Sequence, residues 1–181
     1  MRILKKDTAC VVVDYQERLF PVIAENDQIA EKAAKLINGL NVLSVPMFVT
    51  EQYPKGLGET IEPVRNALGD KYIPIIKSEF SCFDNEDFLG AYENLGRQNI
   101  IIIGIESHVC VLQTAIDAAD KGYNPIVIAD CISSRNLNDK KFAIKRFLRE
   151  GIRVSTYESI LFELCRDSAA PEFKAISQIV K

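Results

Sequence analysis

Three side chains of this sequence can together carry nucleophilic chemistry: Cys110, Asp14 and Lys77. Cys110 closes the stretch NIIIIGIESHVC, which begins at Asn99. The apolar run Ile100–Ile103, interrupted by Gly104 and resumed at Ile105, predicts a central strand buried on both faces. Helical spacing from Val109 to Lys121 then predicts Cys110 in the first turn of a helix. Backbone N–H groups and the helix dipole at such a position favour thiolate over thiol. A thiol nucleophile also needs a base to take its proton. Asp14 ends the first apolar run, ACVVVD, and can be that base. Lys77 ends the run IPIIK and supplies a cation for both the carboxylate and the thiolate. The carbonyl attacked by such a thiolate becomes an oxyanion, and N–H groups at the helix start can receive it.

These residues need elements that bring strand ends together. Strands are expected at Thr8–Asp14, Val45–Thr50, Tyr72–Ile76, Ile100–Gly104, Pro125–Ala129 and Arg153–Thr156. Helices are expected at Gln28–Leu43, Glu59–Ala67, Asp84–Leu95, Val109–Lys121, Asp139–Glu150 and Ser159–Leu164, with Pro171 opening a last one. Gly96, Gly122 and Gly151 read as helix stops. This alternation predicts βαβ units and right-handed crossovers. The expected fold is α/β: a doubly wound, three-layer α/β/α sandwich on a six-stranded, mostly parallel sheet, in order 3-2-1-4-5-6. Ligands of such sheets bind beyond the carboxyl ends of the strands. Asp14, Lys77 and Cys110 all fall at that rim, and Asp130 is expected to end the fifth strand there. The loop EQYPKGLGE, from Glu51 to Glu59, is a candidate lid or pocket wall.

Composition narrows the class. The 181 residues fit one domain, with no repeat, linker or low-complexity tract to mark a second. A net charge of −3 offers no basic footprint, so no nucleic-acid partner is expected. No apolar stretch reaches the ~20 residues of a membrane span. The basic-then-apolar start MRILKKDTACVVVDY lacks a small-residue cleavage site and reads as the first strand, which points to a cytoplasmic protein. Five cysteines, an odd number without a CxxC, fit a reducing compartment rather than a disulfide framework. With His108 as the single histidine, no metal site and no cofactor is expected. Cys10 and Cys131 read as packing residues, Cys165 lies far from the rim, and Cys82 reads as pocket lining close to Lys77.

With these residues in view, the chain resembles the isochorismatase-like cysteine hydrolase superfamily, which includes nicotinamidases and N-carbamoylsarcosine amidases. The resemblance runs from Val11 to about Tyr157. It is carried by VVVDYQ with Asp14 and Gln16, IIKSEFSCF with Lys77, GIESHVCV with Cys110, and ADCISSR with Asp130, Ser133 and Ser134. It implies an Asp14–Lys77–Cys110 triad, and a non-proline cis peptide before Glu106 that aims the N–H groups of Glu106 and Cys110 into an oxyanion hole. It further implies hydrolysis of a small amide through a thioester, and assembly as a dimer or larger homo-oligomer. TEQYPKGLG stands where nicotinamidases carry metal-binding histidines, which argues against a metal-dependent nicotinamidase. The expected substrate pocket is walled by Gln16, Leu19, Phe20, Tyr53, Phe80, Phe83 and His108. Two other readings stay open: hydrolysis of an ester or enol ether, and a binding protein that keeps the fold without turnover.

Overall fold

Residues rich in Val and Ile favour extended backbone and pack well on a pleated surface. The computed structural model, which describes residues 2–181, places them in six strands. These are β1 (Thr8–Val13), β2 (Met47–Gln52), β3 (Pro74–Lys77), β4 (Asn99–Ile105), β5 (Asn124–Ser133) and β6 (Arg153–Ser155). They pair in parallel in one sheet of order β3-β2-β1-β4-β5-β6. Every residue of β1 and β4 is buried. Their unbroken apolar runs are those of central strands covered on both faces.

Among the described residues, eight α-helices connect and cover the strands. They are α1 (Asn26–Val42), α2 (Pro54–Leu57), α3 (Glu62–Leu68), α4 (Glu86–Leu95), α5 (Cys110–Asp120), α6 (Leu137–Arg149), α7 (Tyr157–Cys165) and α8 (Phe173–Ile179). On one face, Cys10 and Val12 of β1 and Ile101 and Ile103 of β4 pack with Leu36 and Leu40 of α1, Ile160 and Leu164 of α7 and Ile176 of α8. On the other, Val11, Val13, Ile100 and Ile102 pack with Phe88 and Tyr92 of α4, Val111 and Ala115 of α5 and Phe147 of α6. The three-layer sandwich follows from this alternation of faces along each strand.

Several boundaries differ from the sequence expectation. β2 starts at Met47 rather than Val45, because Val45 N–H closes the end of α1 on Leu40 O and Pro46 has no N–H to donate. β5 runs on to Ser133, past a register shift against β4 between Ile102 and Gly104. Asp130 therefore lies inside β5, not at its end; its Oδ1 accepts the Tyr157 N–H at 2.9 Å and so anchors the start of α7. The expected loop from Glu51 to Glu59 contains the end of β2 and the single turn α2, which Pro54 opens.

Gly104 of β4 lies opposite Val13 of β1. Its φ is +141°, and a Cβ there would lie 2.2 Å from Val13 O. Only glycine meets both demands. The strand order reverses at this β1–β4 pair, with β2 and β3 on one side and β5 and β6 on the other. That reversal opens a crevice at the carboxyl ends of the strands.

Candidate active site

Asp14 follows β1 directly and has φ +52°, a left-handed conformation that aspartate tolerates better than most residues. Its N–H donates to Thr50 O at 3.2 Å. Its carboxylate accepts from Thr50 Oγ1 at 2.8 Å on Oδ1 and from Lys77 Nζ at 2.6 Å on Oδ2. Lys77, at the end of β3, also donates to Glu79 O at 3.0 Å and Phe80 O at 3.3 Å. Both members of this ion pair are buried, their side chains 0% and 2% exposed. Burial pulls the Lys77 ammonium down, but Asp14, with Cys82 and Cys110, outweighs it and holds the ammonium above its ordinary value.

Cys110 is the first residue of α5, so its own N–H has no helical acceptor. The thiol is buried against Asp14. Burial raises its pKa well above the ordinary thiol value, the Asp14 charge and hydrogen bond raise it further, and Lys77 opposes them. This corrects the expectation that the helix start favours thiolate: loss of solvent and the adjacent carboxylate outweigh the dipole. Cys110 at rest is a protonated thiol beside the Asp14 carboxyl group.

The structure thus brings Asp14, Lys77 and Cys110 together from three strand ends. Just upstream of Cys110, the Ile105–Glu106 peptide is cis. The turn after it is held at several points. Glu106 O accepts the N–H groups of Val109 and Val111, at 3.1 and 3.3 Å, and Ser107 N–H donates to Ser133 O at 2.8 Å. The Glu106 carboxylate takes Arg135 N–H at 2.8 Å and Arg135 Nε at 3.2 Å. Arg135 had no signal in the sequence beyond its place after ADCISS.

The expected pocket residues divide. Phe83 departs from the expectation: it packs in an aromatic cluster with Phe88, Tyr92 and Tyr123. Phe20 is buried against Tyr15, and Leu19 packs on the same core. An apolar residue near a rim reads the same whether it walls a pocket or fills the layer beneath, and here the layer takes all three. Gln16 is buried and fully engaged in structure. Its Nε2 donates to Gln52 O at 3.0 Å and Gly58 O at 2.7 Å, and its Oε1 accepts Gln52 N–H at 2.8 Å. Buried Glu51 accepts the N–H and hydroxyl of Thr60 and the hydroxyl of Tyr72, at 2.7, 2.8 and 2.5 Å. The segment between Tyr53 and Thr60 is therefore strapped at both ends, as a wall rather than a lid.

Tyr53 and Phe80 are more than half exposed. Tyr53 lines a cavity of about 410 Å³ with Lys55, Ile76, Glu79 and Asn85. His108 lines a different one of about 500 Å³, with Leu112, Ile116, Asp117 and Arg146, and its Nδ1 lies 2.9 Å from Ser134 Oγ. Cys82 is a further residue of the site. Its Sγ lies 3.9 Å from Thr50 Oγ1, and its N–H donates to Thr114 Oγ1 at 3.0 Å, one helical turn after Cys110. Burial pushes its thiol up to about 11, with Lys77 restraining the rise. Among the described residues no three His, Cys, Asp or Glu side chains gather where a metal ion could be held. Among them, too, no helix is long and apolar enough to cross a membrane.

The family model described as the Isochorismatase domain matches residues 8–159, a span that contains β1 to β6 and every residue of this site. The chain belongs to the isochorismatase family. Among its isochorismatase relatives, Isochorismatase domain-containing protein 1 of Danio rerio is 38% identical over 93% of this chain. That alignment takes in 59% of the relative, so the chain spans about three fifths of that protein's length. Isochorismatase domain-containing protein 2 of Danio rerio is 34% identical, over 99% of this chain and 89% of the relative. Among solved structures, the MAR1 ribonuclease of Caenorhabditis elegans superposes with a TM-score of 0.93 at 35% identity. The match covers 99% of this chain and 92% of that one.

Proposed function

We propose that this isochorismatase-family protein is a metal-independent cysteine hydrolase that cleaves the C–N bond of a small amide through a thioester. The observation that carries the reading is the Cys110 thiol buried against an Asp14 carboxylate that is itself paired to Lys77. On arrival of the carbonyl, Asp14 takes the thiol proton while Cys110 Sγ bonds to the carbonyl carbon. The carbonyl electrons move onto oxygen, which the N–H groups of Glu106 and Cys110 receive. The tetrahedral species collapses, the C–N bond breaks, and the leaving amine takes the proton from Asp14. Water, deprotonated by Asp14, then attacks the thioester. The C–S bond breaks, a carboxylic acid leaves and Cys110 regains its proton. Lys77 stays charged throughout and holds Asp14 in place.

A panel of small amides, assayed by ammonia or amine release, tests the reading. Hydrolysis is expected with the wild type and is expected to fall at least ~10³-fold in Cys110→Ser and Asp14→Asn. Full activity in either variant refutes the triad. A second reading has one observation in its favour: the C. elegans structure carries ribonuclease in its name. RNA and ester arms in the same panel separate the two, since hits confined to them, with Cys110→Ala still active, would replace the amide reading.

We also propose a homo-oligomer. Ile76 is 49% exposed on the edge strand β3, where Tyr53 lines the same cavity, and Ile73, just before the strand, is 77% exposed, an apolar surface suited to a second copy. Light scattering on the purified chain tests it, and a monomer at micromolar concentration refutes it. Five free cysteines among the described residues support a reducing, cytoplasmic location.

A further inference from the structure

Thr50 lies in β2, outside the Asp14–Lys77–Cys110 set, yet it grips Asp14 at two points. Its carbonyl accepts the Asp14 N–H at 3.2 Å, and its hydroxyl donates to Asp14 Oδ1 at 2.8 Å. Both side chains are buried. The strand register places Thr50 opposite Val13, the residue just before Asp14, so the grip is built into the β1–β2 pairing. A hydroxyl has one hydrogen to give, and here the carboxylate takes it. At its 3.9 Å contact with Cys82 Sγ, Thr50 Oγ1 is therefore the acceptor and the thiol the donor. We propose that Thr50 is the positioning residue of the base: its hydroxyl, backed by the Cys82 thiol, fixes the Asp14 carboxylate in the rotamer that meets Cys110.

The inference rests on the reading of Asp14 as the base. It assigns Cys82 a second role, as a proton-bearing donor that keeps the Thr50 hydroxyl turned toward Asp14. The high pKa of Cys82 suits that role, since the thiol keeps its hydrogen at neutral pH. The titratable groups facing Asp14 are Lys77 from β3, Cys110 from α5 and Cys82 from the turn before α4. Lys77 is bound to the other oxygen, Oδ2, while the Thr50 hydroxyl is bound to Oδ1. A hydrogen bond donated to a carboxylate favours its ionised form, so its loss makes the carboxylate easier to protonate.

The test needs no substrate. The rate of Cys110 alkylation by iodoacetamide is followed by peptide mass spectrometry across pH, since the thiol transfers its proton to Asp14 only while that carboxylate is ionised. Thr50→Val is expected to move the acid limb of this profile up by about one pH unit, the worth of one hydrogen bond to a charged group. Thr50→Ser is expected to restore it. Thr50→Cys, a weak donor of similar size, is expected to give an intermediate limb and covers the case in which Thr50→Val does not fold. An unmoved limb in Thr50→Cys or in folded Thr50→Val overturns the inference. Asp14→Asn separates this from the underlying reading. If Asp14→Asn keeps the wild-type limb, Asp14 is not the base. If it abolishes the limb while Thr50→Val leaves it unmoved, only the role of Thr50 fails.

Discussion

Replacing Lys77 with Met keeps the aliphatic stem and removes the ammonium, which isolates the electrostatic part of the Asp14–Lys77 pair. Two features decide its size. The pair is dry, with side chains 0% and 2% exposed, so the modest 0–1 kcal/mol of an exposed salt bridge does not apply. The ammonium also makes the 2.6 Å contact to Asp14 Oδ2, and its loss leaves the carboxylate with Thr50 as its one side-chain donor in that pair of contacts. Breaking a buried pair from one side costs about 3–5 kcal/mol, because a charge is stranded without solvent. At about 2–4 °C per kcal/mol for a chain of this size, Tm falls by about 6–20 °C. The double variant Lys77→Met/Asp14→Asn removes the stranded charge, while the introduced amide oxygen can still accept from Thr50. It is expected to recover about 2 kcal/mol or more relative to Lys77→Met alone. Urea denaturation at pH 7, with the m-value checked for two-state behaviour, measures all four corners of the cycle. A double variant no more stable than Lys77→Met refutes the reasoning, because the cost then does not come from an unpaired carboxylate.

High pH is expected to unfold the protein. Burial raises the thiols of Cys10, Cys82, Cys110 and Cys131 above their ordinary 9.0, so the folded state holds protons that the unfolded state releases, and stability falls as pH rises past 9. Each such thiol contributes a slope of about 1.4 kcal/mol per pH unit until its folded pKa is reached, and urea midpoints from pH 7 to 10.5 check it; a flat profile refutes it. Gly104→Ala is expected to cost about 3 kcal/mol or more, because the new Cβ meets Val13 O at 2.2 Å on backbone that cannot yield, and thermal denaturation reads the loss. Gln16→Ala is expected to free the strap between Tyr53 and Thr60, with faster hydrogen exchange there than in α5; unchanged exchange means that Glu51 alone holds the segment.

Much of this architecture can be read from periodicity. The runs around Val11 and Ile102 are apolar at every position, and such strands have to be central; two central strands flanked by helix-bearing units leave little freedom in the order. Asp14, Lys77 and Cys110 were legible for the same reason, since a reactive residue at the carboxyl end of a parallel strand has its location set by the strand. What periodicity cannot carry is the partner of a side chain. Gln16 reads as available until Gly58 and Gln52 are seen to occupy its amide. Phe83 reads as a pocket wall until Tyr123, forty residues on, stacks against it. Thr50 reads as a strand residue until Asp14 is folded back onto it. The helix dipole at Cys110 was a sound local argument that burial overrode, and burial is a tertiary quantity.

Charge balance explains why a protonated thiol can be an advantage in the proposed step. At rest the site holds a carboxylate, an ammonium and a neutral thiol, so its net charge is zero. During attack the proton moves to Asp14, Lys77 keeps its charge and the oxyanion carries the negative charge, so the net charge is again zero. A buried site pays heavily for any change in net charge, and far less for moving a charge between prearranged partners. A thiolate at rest beside the Asp14 carboxylate would instead place two anions against one cation in a dry site. Coupling deprotonation to the arrival of a carbonyl avoids that state. In the proposed step Lys77 therefore serves as a fixed cation paired to Asp14. The residue type at position 77 follows: the cation must stay charged while buried, and must reach from β3, beyond β2, to the end of β1. A lysine at the last residue of β3 meets both demands, and the carbonyls of Glu79 and Phe80 hold its remaining hydrogens in place.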